Sequence, residues 1–280
     1  MELVMFSKML QEFSVAEAGA IMKDLGLDGV DLTVRDGGHV LPESVETDLE
    51  PAVNTLAEAG LSVPMITTGI TSAAEPTAEP VFRAAAACGI KKLKLGYWQV
   101  KEFGTMRQTI AQAQQHLVGI SKLADKYQVS ANIHVHSGDF LSAMSPVVWM
   151  LIQDYAPACI GAYPDLCHMG LEGGRAGWKQ GLDLLGDRIN MVGVKNAGLF
   201  QETDDAGNTR WQGKLLPVAE GLTPFPEAFG YLKQMGFNGP CSFHSEYKGG
   251  FSFKDMTTEQ VIEQTRSDVQ YVKQVLAGLQ

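Results

Sequence analysis

HVHSG (residues 134–138), PDLCH (164–168), VKNAG (194–198) and FHSEY (243–247) stand at the ends of the last four apolar runs of this chain. Between them they gather histidines with Asp165, Lys195 and Glu246, side chains able to bind a metal or transfer a proton. Four of the six histidines are here, and a fifth, His39, lies in GGHV just past an earlier run of the same kind. Polar residues gathered at one end of successive strands converge in space when those strands are parallel and closed into a barrel. The layout points to an enzyme.

Working outward from these runs, short β-rich stretches alternate with longer helical patterns along the whole chain, as in parallel βα units. Strands read at 3–7, 29–34, 62–67, 92–95, 131–136, 160–163, 191–195 and 241–246. Several follow a glycine turn, as in LGLDGVDL, ACGIKKLKL and MGFNGPCSF, where glycine ends a helix in the left-handed conformation. The first helix begins at Ser14, an N-cap with Glu17 three residues on in a capping-box pattern. Helical patterns at 43–59, 79–88, 106–127, 146–155, 178–185, 226–235 and 258–279 complete eight. No linker or low-complexity tract interrupts the eight pairs. The economical reading is an α/β protein with one closed (β/α)8 TIM barrel, a single domain over residues 1–280; an open doubly wound sheet is the competitor. The length fits a barrel of about 250 residues. The stretch 200–222 lacks a clear period. Its TDDAGNTRWQGK reads as a β-hairpin or lid, with Gly207 and Asn208 in the turn and Trp211 as a cover, or else as a decorative hairpin.

A hydrophobic content of 45% and a charged content of 19% describe a globular protein. The formal charge of -10 argues against a nucleic-acid partner, which needs a basic surface. Cys88, Cys159, Cys167 and Cys241 have no CxxC spacing and sit in or beside apolar runs, as reduced, buried thiols do. MELVMFSKML lacks the basic and small-residue features of a signal peptide, and no stretch approaches about 18 uninterrupted apolar residues. A cytoplasmic protein without a membrane partner is the expectation. A homo-oligomer is compatible with the sequence, although no helix shows an obvious dimer stripe.

Alternation along a strand puts His134 and His136 on one face, where they suit metal ligation or proton relay, or simply line the barrel mouth. His244 and Glu246 repeat the arrangement. A carboxylate there must be paired, metal-bound or protonated, because burying it bare is costly; a salt bridge to Lys195 or Arg35 is the bland alternative. Asp165 and His168, three residues apart, can both turn inward, or Asp165 can be a helix cap beside an exposed histidine. Residues 170–175 read as a flexible loop. Lys195 can hold an oxyanion, form a Schiff base, or serve as a structural ion pair. Arg35, His39, Lys94, Tyr97 and Trp98 occupy earlier strand ends, and cations with aromatics there suit a sugar or polyol. His116, within a long helix, reads as a surface residue.

DLTVRDGGHV (31–40), HVHSGD (134–139), DLCHMGLEGG (165–174), VGVKNAG (192–198) and GPCSFHSEY (239–247) together resemble the sugar phosphate isomerase/epimerase superfamily of xylose isomerase-like barrels, over essentially the full chain. The resemblance implies one divalent metal, held by Glu, Asp, His and Glu from strands five to eight, that polarises a hydroxy-carbonyl pair while carboxylates move a proton. Asp165 and Glu246 match two of these ligands, and His168 matches the DxxH histidine that contacts substrate. The strand-five ligand position is His134, with His136 in the place of the E-x-H histidine. The strand-seven position is Gly193, and Asn196 stands where an Asp is usual.

A site of His134 or His136, Asp165 and Glu246, with His168 or His244, would still hold a divalent ion. Imidazole with carboxylate favours Mn2+ or Zn2+, with Fe2+, Co2+ or Mg2+ as further options. The expected activity is a metal-assisted isomerase or epimerase of a sugar, keto-sugar or related polyol. Glu246 is the base, Lys195 the oxyanion partner, and His244 sits beside them; Arg35, His39, Lys94, Trp98 and His168 contact the small carbohydrate substrate. The alternatives are a lyase or dehydratase using the same site and a non-catalytic carbohydrate-binding barrel. DNA repair on this barrel would need a metal cluster and a basic groove that the composition does not provide. No Gly-rich phosphate loop follows the last two strands.

Overall fold

In the computed structural model, which describes residues 1–279, Ser14 accepts a hydrogen bond from Glu17 N while the Glu17 carboxylate accepts from Ser14 N. This capping box starts α1 (Val15–Asp24) where the sequence places it. Seven further helices follow: α2 (Val45–Glu58), α3 (Ala78–Ala87), α4 (Met106–Tyr127), α5 (Ser145–Ile152), α6 (Leu166–Leu185), α7 (Phe225–Gln234) and α8 (Thr258–Gly278). They alternate with the parallel strands β1 (Glu2–Phe6), β2 (Gly29–Val34), β3 (Ser62–Thr68), β4 (Lys92–Lys94), β5 (Ser130–His134), β6 (Ile160–Tyr163), β7 (Val192–Val194) and, after a hairpin, β10 (Pro240–Phe243).

The eight strands pair in the order β6-β5-β4-β3-β2-β1-β10-β7. The ends meet through parallel bridges between Ala162 and Ile189 and between Asp165 and Gly193. There Asn190 N donates to Ala162 O at 3.0 Å and Gly193 N to Pro164 O at 2.8 Å. The architecture is a (β/α)8 barrel. Outward-facing residues such as Leu3, Met5, Ile66, Leu93 and Ile133 pack with the helices in one large core. Val4, Met65, Tyr163 and Met191 form a separate inner cluster, as alternation along the strands requires.

Two local readings change. Residues 170–175 are helical, broken only at Gly174 (φ +58°), because Asp165 caps α6 directly. Its carboxylate accepts from Cys167 N and His168 N, so a glycine-rich stretch that reads as loop is drawn into the first turns of a helix. The hairpin begins at once after β7, as β8 (Asn196–Thr203) and β9 (Thr209–Leu216). Its tip is closed by Asp204 Oδ1, which accepts from Ala206 N and Asn208 N, with Gly207 at φ +82°. Among the described residues no helix is long and apolar enough to cross a membrane.

Candidate active site

Asp165 is the hub of the carboxyl mouth. Its Oδ1 is taken up by the α6 cap, which fixes the side chain and turns Oδ2 inward. Oδ2 then lies 3.2 Å from His134 Nε2, 3.4 Å from Lys195 Nζ and 3.8 Å from both His168 Nε2 and His244 Nδ1. Glycine at 193 makes this possible, because a Cβ there would come within 2.8 Å of the same oxygen. Lys195 also donates to Glu246 Oε2 at 2.9 Å, and Lys8 stands 3.7 Å from Oε1. One ammonium therefore bridges two carboxylates.

The imidazoles are oriented from behind. His134 Nδ1 is hydrogen-bonded to the Tyr97 hydroxyl at 2.7 Å, and His244 Nε2 to the Tyr163 hydroxyl at 2.8 Å. The His136 and His168 rings pack at a tilt of 35°, with centroids 3.8 Å apart, and Ser137 Oγ holds His168 Nδ1 at 2.5 Å. His168 Nε2 is buried without a hydrogen-bond partner.

Burial dominates the protonation states. It drives the His134 and His168 imidazoles well below their usual range, with neighbouring charges adding to the effect. Burial and the Lys195 charge also bring His136 to about 4 and His244 to about 3. At neutral pH all four are uncharged and can act as metal ligands or proton acceptors. Burial pushes the Asp165 and Glu246 carboxyls up, but the Lys195 ammonium, helped by neighbours, brings each to about 2. The same pair holds Lys195 protonated against its own burial.

These shifts set a direction for stability. Unfolded histidine binds a proton near pH 6.5 and these four do not until lower pH, so acidification through that window favours the unfolded chain. Asp165 and Glu246 add the same sign at lower pH, their contribution being lost as pH falls toward about 2. Asp31 and Asp268, both raised to about 6 by burial, oppose the trend, but they are two groups against four. The melting temperature is therefore expected to fall by several degrees between about pH 7 and about pH 4.5. A flat or rising profile in a thermal scan would contradict this balance.

Two connected cavities open at the mouth. The inner one, about 110 Å³, is lined by Arg35, Lys94, Tyr97, His134, His244 and Glu246 among others. The outer one, about 810 Å³, shares Lys8, His136, Lys195 and Glu246 with it and includes His168. Lys94 is buried with its Nζ 3.5 Å from the Tyr97 ring centroid, and the Arg35 guanidinium lies over Phe6 at 5.3 Å.

Two of the expected substrate contacts lie elsewhere. His39 bonds Ser7 and Thr33 and lines a small apolar void between β2 and α1. Trp98 packs into the outer core and donates its indole N–H to His116 Nδ1 at 3.2 Å. His116 is thus a half-buried partner rather than a surface residue. The aromatic that reaches the pocket is Tyr97, one position earlier.

For the metal, His134, Asp165 and His244 each offer a donor atom, all within 4.8 Å of one another, so a buried group able to hold an ion exists. Its strand-eight member is His244, not Glu246, which is engaged with Lys195 and Lys8. His136 lies outside the group, packed on His168. The donor set fits a divalent ion: two neutral imidazoles whose far nitrogens are each anchored by a tyrosine, as ligating histidines are by a supporting partner. Tyr97 is one of the strand-end aromatics the sequence points to, whereas Tyr163, Ser137 and Lys8 carry no motif, although Lys8 follows the first strand run as Lys195 does the seventh.

A (β/α)8 barrel with imidazole and carboxylate groups drawn together at its carboxyl mouth places its site where this class of fold builds one. The chain belongs to the xylose isomerase-like TIM barrel family, whose model matches residues 20–274. No curated protein matches it in sequence. Among solved structures it is similar to D-psicose 3-epimerase with D-tagatose from Clostridium cellulolyticum H10, with TM-score 0.72, 11% identity and 99% of each chain covered. It is similar to the probable 3-DHS dehydratase from Bacillus anthracis, with TM-score 0.69, 13% identity, 98% of this chain and 99% of that one covered. A xylose isomerase-like TIM barrel protein from Mycobacterium smegmatis in complex with magnesium gives TM-score 0.68 at 15% identity, over 99% of this chain and 97% of that one. At these identities the likeness is one of fold.

Proposed function

We propose that this chain is an isomerase or epimerase that moves a proton next to the carbonyl of a sugar, keto-sugar or related polyol. The observation that carries this reading is the pair of Glu246 and Lys195, 2.9 Å apart on the wall shared by both cavities. A base and a fixed cation side by side are what proton abstraction beside a carbonyl requires.

In this reading His134, Asp165 and His244 hold one divalent ion, with Zn2+ or Mn2+ favoured by the donors. When bound, the ion would supply Lewis-acid polarisation of the substrate carbonyl. Lys195 donates to the oxygen on which negative charge develops. Turning the ammonium toward that oxygen loosens its hold on Glu246, whose carboxylate then becomes a stronger base for the neighbouring C–H. His168 lines the outer cavity beside the substrate, and Arg35, Lys94 and Tyr97 bound the inner end.

Incubation with a panel of ketoses and keto-sugars in D2O tests the reading: deuterium at one carbon without loss of water is expected. A second reading, dehydration, is favoured by one observation. Among the described residues lining the inner cavity, Glu246 is the only carboxylate, so a second acidic base for two-base epimerisation is not at hand. An α,β-unsaturated carbonyl product would select it. No exchange with any ketose, together with a metal-free protein, would leave a carbohydrate-binding barrel.

Metal binding is checked without activity. His134→Ala and His244→Ala are each expected to lower metal content by at least the about tenfold that losing even a supporting partner costs. His136→Ala should keep its metal. Elemental analysis after dialysis reads all three, and equal loss in His136→Ala would redraw the ligand set.

A further inference from the structure

The outer cavity is larger than a free monosaccharide needs, and one part of its lining is apolar. At about 810 Å³ it falls in the range of about 300–1,000 Å³ that takes drug-sized ligands. Its wall away from Lys195 and Glu246 is formed by Met9, Leu171, Leu199, Trp211, Leu215 and Phe251. Three of these are largely bare: Trp211 is 66% exposed, Phe251 71% and Leu199 47%. Large apolar side chains gathered on one exposed surface mark a binding site more often than an accident of composition.

The hairpin is built to present this wall. Ala197 pairs with Leu215, Leu199 with Gly213 and Gln201 with Trp211, so these side chains share one face of the ribbon. Ala197, a small member of that face, leaves room beside the cavity. Gly213 lets the ribbon close on α6, since a Cβ there would meet the Leu171 side chain at 3.1 Å. Phe251 is tied to the same support: Leu215 N donates to Phe251 O at 2.8 Å and Phe253 N to Leu215 O at 2.9 Å. Lys248 and Glu12, paired at 3.0 Å, give the chamber a polar rim. The two cavities therefore adjoin, sharing Lys8, His136, Lys195 and Glu246, with the apolar wall on the far side of the outer one.

We propose that the outer chamber is a second subsite for an apolar, aromatic substituent carried by the sugar, so that the substrate is a glycoside that bears a ring ketone, or a similar keto-polyol conjugate. This rests on the reading of the inner pocket as the sugar end. The polyol enters the inner pocket, and the substituent packs against Trp211 and Phe251 without changing the chemistry at Glu246.

Calorimetric titration with matched phenyl and methyl glycosides of the common hexoses and pentoses tests it. For at least one sugar the phenyl member is expected to bind about tenfold or more tighter, as burying one ring face against apolar wall predicts. In Trp211→Ala and Phe251→Ala, both at exposed positions, that ratio should fall toward one. Equal affinities within every pair, or no binding of any phenyl glycoside at millimolar concentration, would overturn the proposal. So would a ratio untouched by both substitutions. The two readings fail separately: phenyl preference without solvent-deuterium exchange on any keto-sugar removes the catalytic reading and leaves the subsite.

Discussion

Lys195→Met is expected to lower turnover by a hundredfold or more, the scale of losing a preorganised donor to a developing oxyanion, about 10²–10³. The ammonium is the shared partner of Asp165 and Glu246, at 3.4 and 2.9 Å, and all three lie at the mouth. Without it, burial is opposed only by the remaining neighbours, and both carboxyls move up from about 2. The acid limb of the pH–rate profile should move to higher pH, because a carboxylate base must be ionised to act. Removing one partner of a buried ion pair costs about 3–5 kcal/mol. The smaller end is expected here, since the Glu246 side chain is 27% exposed and Asp165 keeps its helix-cap bonds. Turnover close to the parent's with an unmoved acid limb would make Lys195 a structural pin.

Glu246→Gln should be as damaging by a different route. Loss of a positioned general base costs about 10²–10⁴ in rate, and solvent-deuterium exchange should fall with turnover, since both report the same proton transfer. The amide is nearly the carboxylate's size, and His134, Asp165 and His244 are left in place. Metal content should therefore persist while exchange is lost. That combination separates base from ligand: if elemental analysis shows the ion gone with Glu246, the carboxylate belongs to the metal, as the family resemblance first implied.

The reach of sequence reading varied with how local each signal is. β2 and β6 run from Gly29 to Val34 and from Ile160 to Tyr163, and α4 from Met106 to Tyr127, the bounds the sequence predicts, because alternation, helical period and flanking turns are all contained in the segment. At the mouth the strand pattern in the sequence runs past the ladder itself. β5 stops at His134 and β10 at Phe243, since residues beyond them turn toward the pocket and leave the ladder. The Gly-rich stretch after DLCH reads as loop by composition, yet the cap formed by Asp165 outweighs it.

Within the site, residue types were easier to find than their partners. His134, His136, Asp165, His168, Lys195, His244 and Glu246 all stand at strand ends in the sequence, and six of them line the two cavities while Asp165 lies buried behind them. Which of them face one another was not visible. Tyr97 and Trp98 are adjacent, and a one-residue step sends one into the pocket and the other into the core. His244 and Glu246 share a strand face on paper. The chain leaves the strand at Phe243, and His244 falls beside Asp165 while Glu246 reaches Lys195.

By itself the sequence determined the βα repeat, the eight strands, the capping of α1 and the end of the barrel where polar groups collect. All of these follow from patterns a few residues long. Tertiary structure alone decided that β7 closes on β6 through Asp165 and Gly193, that Lys195 bridges two carboxylates, and that a hairpin raises Trp211 over the opening. Those outcomes depend on contacts between segments about thirty to fifty residues apart, brought together only when burial of the strands closes the cylinder.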